Sequence, residues 1–258
     1  MNQGHARVLS TELVYEDTYL QWYSEPSIGA AAEVGQFVML RCRGDDEMDP
    51  LLPRAMSFHR VRDAQGERQW SILFTVVGRG TRWLSQRKAG DRVFVYGPLG
   101  RGFKVRANSR NLLLVGGGIG IAPLLWLADE GVAQGKNVTL LAGARRASML
   151  YPEQLLPPEI ELVATTEDGS LGRKGLVSEP FAEYLPWCDQ AFACGPNPMF
   201  KSLAEVRRKA GLRRPVQILM EERMCCGTGI CYSCAIFARK GVRLVCKDGP
   251  MFEIHEVF

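Results

Sequence analysis

Histidine is nearly missing from this chain. Three of 258 residues (His5, His59 and His255) leave little material for the imidazole-based nucleophile activation on which many hydrolases depend. A strong charge of either sign is also lacking: 32 basic side chains face 28 acidic ones, a net +4, too mild to suggest nucleic acid as a partner. The densest basic run, Val206 to Arg214, reads as the solvated end of a helix. The first residues, Met-Asn-Gln-Gly-His-Ala-Arg, hold no apolar stretch of the kind that directs export. Repeats and low-complexity segments are absent too. One charge-free run, Asn111 to Ala128, is 18 residues long, close to membrane-spanning length. Four glycines and Pro123 interrupt it, so it reads as strand, turn and helix, and no membrane partner is expected.

What the chain does have is cysteine in a telling pattern. Cys226-Gly-Thr-Gly-Ile-Cys231-Tyr-Ser-Cys234 is followed after eleven residues by Cys246. C-x4-C-x2-C plus a distant cysteine is the spacing of a plant-type 2Fe–2S cluster, with four thiolates holding two irons. Gly227 and Gly229, lacking Cβ atoms, let a loop wrap closely around such a group. Zinc sites more often show two C-x2-C pairs, and only one is present. Zinc and a disulfide framework remain the alternatives, the latter disfavoured by size and by the absence of an export signal. Eight cysteines, four spaced as metal ligands, fit a reducing cytoplasm. Cys42 and Cys188 read as ordinary buried thiols.

Hydrophobic periodicity divides the chain. In residues 1–104, short β-rich runs (5–14, 19–23, 36–43, 56–61, 69–77 and 92–96) separated by turn formers predict an antiparallel barrel or sandwich. A helix is expected from Thr81, as its cap, to about Lys88. In residues 105–218, strand-like runs at 112–115, 138–142, 161–165, 190–194 and 216–220 alternate with helical patterns at 121–133, 176–184 and 199–210. That alternation predicts a doubly wound parallel sheet. The remainder, 219–258, is too small for a core of its own and is expected to depend on its metal centre.

Two glycine-rich segments fall at strand ends. Gly116, Gly117, Gly118 and Gly120 lie between Leu112–Val115 and a predicted helix, a place where backbone N–H groups and a helix dipole favour a pyrophosphate. The spacing is not the usual dinucleotide fingerprint. Cys194-Gly195-Pro196 closes another parallel strand, which puts both segments on one rim of the sheet. In the first unit, Arg54-Ala-Met-Ser57 offers a phosphate partner and a hydroxyl, and Gly78-Arg-Gly80-Thr81 offers a second backbone cradle.

Taken in order, these motifs resemble the ferredoxin–NADP reductase-like superfamily. The others are Gly97-Pro-Leu-Gly-Arg-Gly-Phe103, Glu167-Asp-Gly-Ser-Leu-Gly172, Glu221 through Cys231, and Cys246 through Phe252. Within it, the short gap to the fourth cysteine makes the chain most similar to the electron-transfer subunits of type B dihydroorotate dehydrogenases. The resemblance implies an FAD-binding β-barrel, an NAD-binding domain and a small 2Fe–2S domain. It assigns FAD contacts to Arg54, Ala55, Met56, Ser57, Gly80 and Thr81, and less firmly to Leu73, Phe74 and Thr75. Cys226, Cys231, Cys234 and Cys246 match its cluster ligands. Ala55 stands where the family usually has proline, and Cys225 where a small residue is common; the x4 spacing selects Cys226 over Cys225.

The resemblance further implies hydride exchange between NAD(H) and FAD, then single electrons exchanged through the cluster with a separate FMN-containing catalytic subunit, in a heterotetramer. That subunit would oxidise dihydroorotate in pyrimidine biosynthesis, with physiological flow outward to NAD. Nothing here resembles a (β/α)8 barrel, so dihydroorotate itself is not expected to bind. No acid–base residue is needed, and no catalytic side chain is assigned. Thr166-Glu-Asp168 favours NAD over NADP by repelling a 2′-phosphate, whereas Arg145 and Arg146 argue the other way. Two other readings stay open: an electron-transfer subunit serving a sulfite reductase, hydrogenase or bifurcating ferredoxin reductase, and a colourless zinc-stabilised interaction module.

Overall fold

A computed structural model describes residues 1–258. Its first half is a curled antiparallel sheet of β1 (Asn2–Tyr15), β2 (Thr18–Ser24), β3 (Phe37–Leu40), β4 (Arg54–Ser57), β5 (Arg60–Ala64), β6 (Glu67–Thr75) and β7 (Arg92–Leu99). The spatial order is β4-β3-β7-β1-β2-β6-β5. Only Phe58 and His59 separate the two edge strands, so the sheet must curl round on itself. The single run expected at 56–61 is therefore two strands on opposite edges. Phe58 N–H donates to Gln36 O at 3.1 Å and His59 N–H to Ser71 O at 2.8 Å, so the chain changes partner at that point.

Two short helices punctuate this sheet. α1 (Pro26–Ala31) is opened by the Glu25 carboxylate, which accepts from Ile28 N–H at 2.7 Å, with Pro26 in the first turn. α2 (Arg79–Ser85) begins two residues before the expected Thr81. That threonine sits in the first turn and reaches back, accepting from Val77 and Gly78 N–H at 3.0 and 3.2 Å.

The second half is built on β8 (Asn111–Gly117), β9 (Asn137–Ala144), β10 (Glu161–Thr166), β11 (Arg173–Lys174), β12 (Gln190–Cys194) and β13 (Val216–Leu219), all parallel. Helices α3 (Ala122–Ala133), α4 (Ser178–Tyr184) and α5 (Asn197–Ala210) cover it, α3 on the side of the first sheet and α4 with α5 packed together. The order β11-β10-β9-β8-β12-β13 reverses direction between β8 and β12, the switch point at which open α/β sheets bind ligands. The basic run 206–214 forms the last turn of α5, where Arg207, Arg208 and Lys209 complement the helix dipole, and Gly211 ends it in the left-handed region.

The C-terminal stretch is a two-stranded hairpin, β14 (Ala235–Ala238) with β15 (Gly241–Leu244), then α6 (Val245–Asp248), β16 (Met251–Glu253) and α7 (Ile254–Val257). β16 pairs antiparallel with β13 and so extends the second sheet. No helix is long and apolar enough to cross a membrane.

The two sheets share one apolar core, in which Phe58 meets Trp70 of β6 and Trp126 of α3 edge-on. A polar clamp reinforces the joint: the Arg60 guanidinium forks onto Asp129 at 2.6 and 3.1 Å, and Tyr151 O–H lies 3.4 Å from His59 Nε2. A second apolar cluster runs beneath α4 and α5 and takes in Cys234 and Cys246.

Candidate electron-transfer site

Where the carboxyl ends of β8, β12 and β13 face β4 and β6, a cavity of about 300 Å3 opens. Ala55, Met56 and Ser57 line it from β4, and Leu73, Phe74 and Thr75 from β6, joined by Thr81 and, across the joint, Cys194. All of these belong to the set that the sequence singles out. Apolar walls with a few hydroxyls suit a flat ring whose edge carries polar atoms. Arg54 and Gly80 stand beside this space and meet each other: a Cβ on Gly80 would lie 3.0 Å from Arg54 Nε, while Arg54 donates to Leu52 O at 2.6 Å.

Several cavity residues escape the sequence reading. Leu219, Met220, Glu221 and Met224 follow from the end of β13, and Pro250 from the C-terminal stretch. Their signal is position, since the end of a parallel strand next to the switch point faces the ligand crevice. Glu221 Oε1 lies 3.5 Å from Cys194 Sγ. Burial pushes the Cys194 thiol well above its usual value, and the Glu221 charge adds to that. Water reaches Glu221 through the cavity, yet the surrounding walls still raise its pKa; the contact with Cys194 opposes that rise.

A second groove has a volume of about 500 Å3. Gly117, Gly118 and Pro196 line it, with Arg145, Glu167 and Ser178. Gly118 adopts φ +55°, and a Cβ there would point into open space, leaving its backbone bare to the groove. The other glycines serve packing: a Cβ on Gly120 would come within 2.3 Å of Cys194 O, and one on Gly117 within 2.8 Å of Met199 Sδ. Gly116 and Gly195 likewise face protein, at Ile121 and Met199. The two motifs that the sequence sets on one rim therefore interlock, and the rim itself offers Gly117, Gly118 and Pro196.

The segment that carries the four cysteines runs on from the wall of the first cavity. Met224 lines that cavity and Cys226 follows two residues later. Tyr96 O–H, from β7, donates to Cys226 O at 3.2 Å, and Gly227, at φ +67°, fits against Met39 and Leu99. The thiols associate as two pairs, Cys226 with Cys231 and Cys234 with Cys246. Backbone amides point at sulfur: Thr228 N–H at Cys226 Sγ and Cys246 N–H at Cys234 Sγ, both at 3.4 Å.

Burial opposes ionisation of Cys226, but hydrogen bonds from the Thr228 and Cys231 backbone prevail and hold its pKa at about 6. Burial, then Cys234, pushes Cys246 up to about 12. To ionise all four together would take a compensating cation. Cysteines arranged two by two suit a binuclear group. Cys231 is exposed, whereas Cys234 and Cys246 are buried, so the site has one face toward solvent. Cys225 turns its N–H to Ser233 Oγ at 3.0 Å. Cys42 and Cys188 are fully buried elsewhere, each pushed up to about 12 by burial.

Fold and site together define a ferredoxin reductase-like electron-transfer protein with a cysteine-ligated centre. Residues 221–258 match the iron–sulfur cluster binding domain of dihydroorotate dehydrogenase B. The dihydroorotate dehydrogenase B (NAD(+)) electron transfer subunit of Desulforamulus reducens is 39% identical over 98% of this chain and 97% of its own. Its counterpart in Caldanaerobacter subterraneus subsp. tengcongensis is 40% identical with the same coverage. A solved NADH-dependent reduced ferredoxin-NADP oxidoreductase, studied for flavin-based electron bifurcation, superposes with a TM-score of 0.85 at 29% identity, over 99% of this chain and 90% of that one. The chain belongs to the family of dihydroorotate dehydrogenase B electron transfer subunits.

Proposed function

We propose that this chain passes electrons between NAD(H) and a partner catalytic subunit, the FMN-containing subunit that oxidises dihydroorotate, as a subunit of a cytoplasmic heterotetramer in pyrimidine biosynthesis. Residues 1–104 hold FAD, 105–218 hold the dinucleotide and 219–258 hold a 2Fe–2S cluster. The observation that carries this reading is spatial: one cavity joins β4 and β6 to Cys194, and Met224 on its wall lies two residues from Cys226.

FAD and the cluster, when bound, supply hydride acceptance and single-electron steps that no side chain here can perform. The chain's own work is placement. Ala55, Met56, Ser57, Leu73, Phe74, Thr75 and Thr81 wall the flavin ring, with Arg54 and Gly80 beside them. Gly117, Gly118 and Pro196 receive the pyrophosphate, and Gly116, Gly120, Cys194 and Gly195 shape the rim beneath. Cys226, Cys231, Cys234 and Cys246 hold iron, with Tyr96 and Gly227 fixing their loop against β3 and β7. Placement thus governs the reaction of the cofactors, and no catalytic acid or base is assigned.

Anaerobic NADH titration of the purified chain, followed by absorbance and EPR, tests this. The expected result is bleaching of a flavin band with a rhombic signal from the reduced cluster. A colourless chain holding zinc would overturn it. The likeness to the bifurcating oxidoreductase favours one second reading, the same carrier serving a ferredoxin-linked partner. A co-purifying FMN subunit with dihydroorotate activity separates the two.

A further inference from the structure

Arg145 and Arg146 directly follow β9, the second strand of the doubly wound unit. The end of that strand is where the 2′ position of an adenine ribose is read, by a carboxylate for the bare hydroxyl or by arginine for a 2′-phosphate. Two arginines there would by themselves invite the phosphate. The structure separates them. Arg145 lines the groove with Glu167. Arg146 is absent from its walls and forks onto Glu16, in the turn between β1 and β2 of the first sheet, with Nη2 on Oε1 and Nε 3.2 Å from Oε2. The Ser148 hydroxyl donates to the same carboxylate.

Hydrogen bonds from Arg146, and then Ser148, hold the Glu16 carboxyl below its ordinary range, so it stays charged. Asp168 also acts on Arg146. The strand end thus carries two cations against Glu16, Glu167 and Asp168, a net charge of −1 by formal count. A pair this exposed contributes little to folding. Its effect is on what the groove accepts.

We propose that Glu16 is a specificity-determining residue of the dinucleotide site: from the neighbouring domain it holds Arg146 away from the ribose, so that the groove takes the dinucleotide with a free 2′-hydroxyl. This rests on the reading of the groove as the dinucleotide site. It resolves the conflict in the sequence between the arginine pair and the acidic Thr166-Glu-Asp168 segment. Arg146 is present but already engaged.

Calorimetric titration of the holoprotein with NAD+ and with NADP+ tests it, because neither oxidised dinucleotide turns over with oxidised flavin. In Glu16→Gln the ratio of the two dissociation constants should move about fivefold or more toward NADP+. Adding Arg146→Ala to that variant should return the ratio to the wild-type value. An unchanged ratio in Glu16→Gln, with NAD+ still bound and an intact melting transition, overturns the inference while leaving the groove standing. If the wild-type protein binds neither dinucleotide, the groove reading itself falls, and the inference with it.

Discussion

Tyr96 and Cys226 lie 130 positions apart in the chain, and the hydroxyl of the one donates to the backbone carbonyl of the other at 3.2 Å. Through this bond β7 grips the cysteine loop. Tyr96→Phe removes one hydrogen bond, a loss of about 1 kcal/mol locally. The expected outcome is a cluster that still assembles but bleaches faster and shifts its midpoint potential. Gly227→Ala is expected to do far more. A side chain there meets Met39 Cγ at 2.7 Å in a left-handed backbone, so iron content per chain should collapse. Iron analysis and EPR of both variants check this; equal loading in the two would contradict it.

Gly118 and Gly120 predict opposite phenotypes. Gly120→Ala drives a methyl group to 2.3 Å from Cys194 O and should cost about 2 kcal/mol or more of stability. Gly118→Ala meets no protein atom but stands in the groove at φ +55°, so its fold should lose only about 1 kcal/mol. Its dinucleotide affinity should suffer more. Thermal melts paired with NAD+ titrations separate the two, and a Gly118→Ala protein that binds normally would refute the assignment of the groove.

His59 makes stability depend on pH. It is fully buried between Ser71 Oγ at 3.2 Å and Tyr151 O–H at 3.4 Å, and burial, aided by the Arg60 charge, lowers its pKa to about 3. Since the unfolded chain takes up this proton near pH 6.5 and the folded chain does not, the contribution is complete above pH 6.5. It is lost as pH falls from there toward 3, by about 1.4 kcal/mol per pH unit. Denaturant melts at pH 5, 6 and 7 should show a slope that His59→Gln reduces by about one proton. Equal slopes would remove His59 from the account.

Much of the fold is legible in local pattern. The alternation of strand and helix after residue 110, the glycine turn at 116–120 and the basic end of α5 all reflect forces acting within a few residues. The split of 56–61 into β4 and β5 does not, because its cause is the curl of a sheet whose edges are distant in sequence. α1 was missed because Pro26-Ser-Ile-Gly-Ala-Ala is too short for periodicity to register, and β16 because three residues become a strand only by pairing with β13. Of the cavity, the β4 wall was legible as a motif, whereas the β6 wall came only with the family resemblance. Leu219 and Met220 were not legible, since strand-end position is a property of topology.

By itself the sequence determined which groups are available: four thiols at cluster spacing and a run of glycines between a strand and a helix. These depend on residue type and short separations, which the linear order preserves. Tertiary structure decided how they are used. It divided the cysteines into two pairs, set Cys194 beside Glu221, and gave Arg146 to Glu16 instead of to the groove. Each of these is a contact between segments far apart in the chain, and the energy of a charge or a thiol depends on its neighbours in space, which only the packed chain specifies.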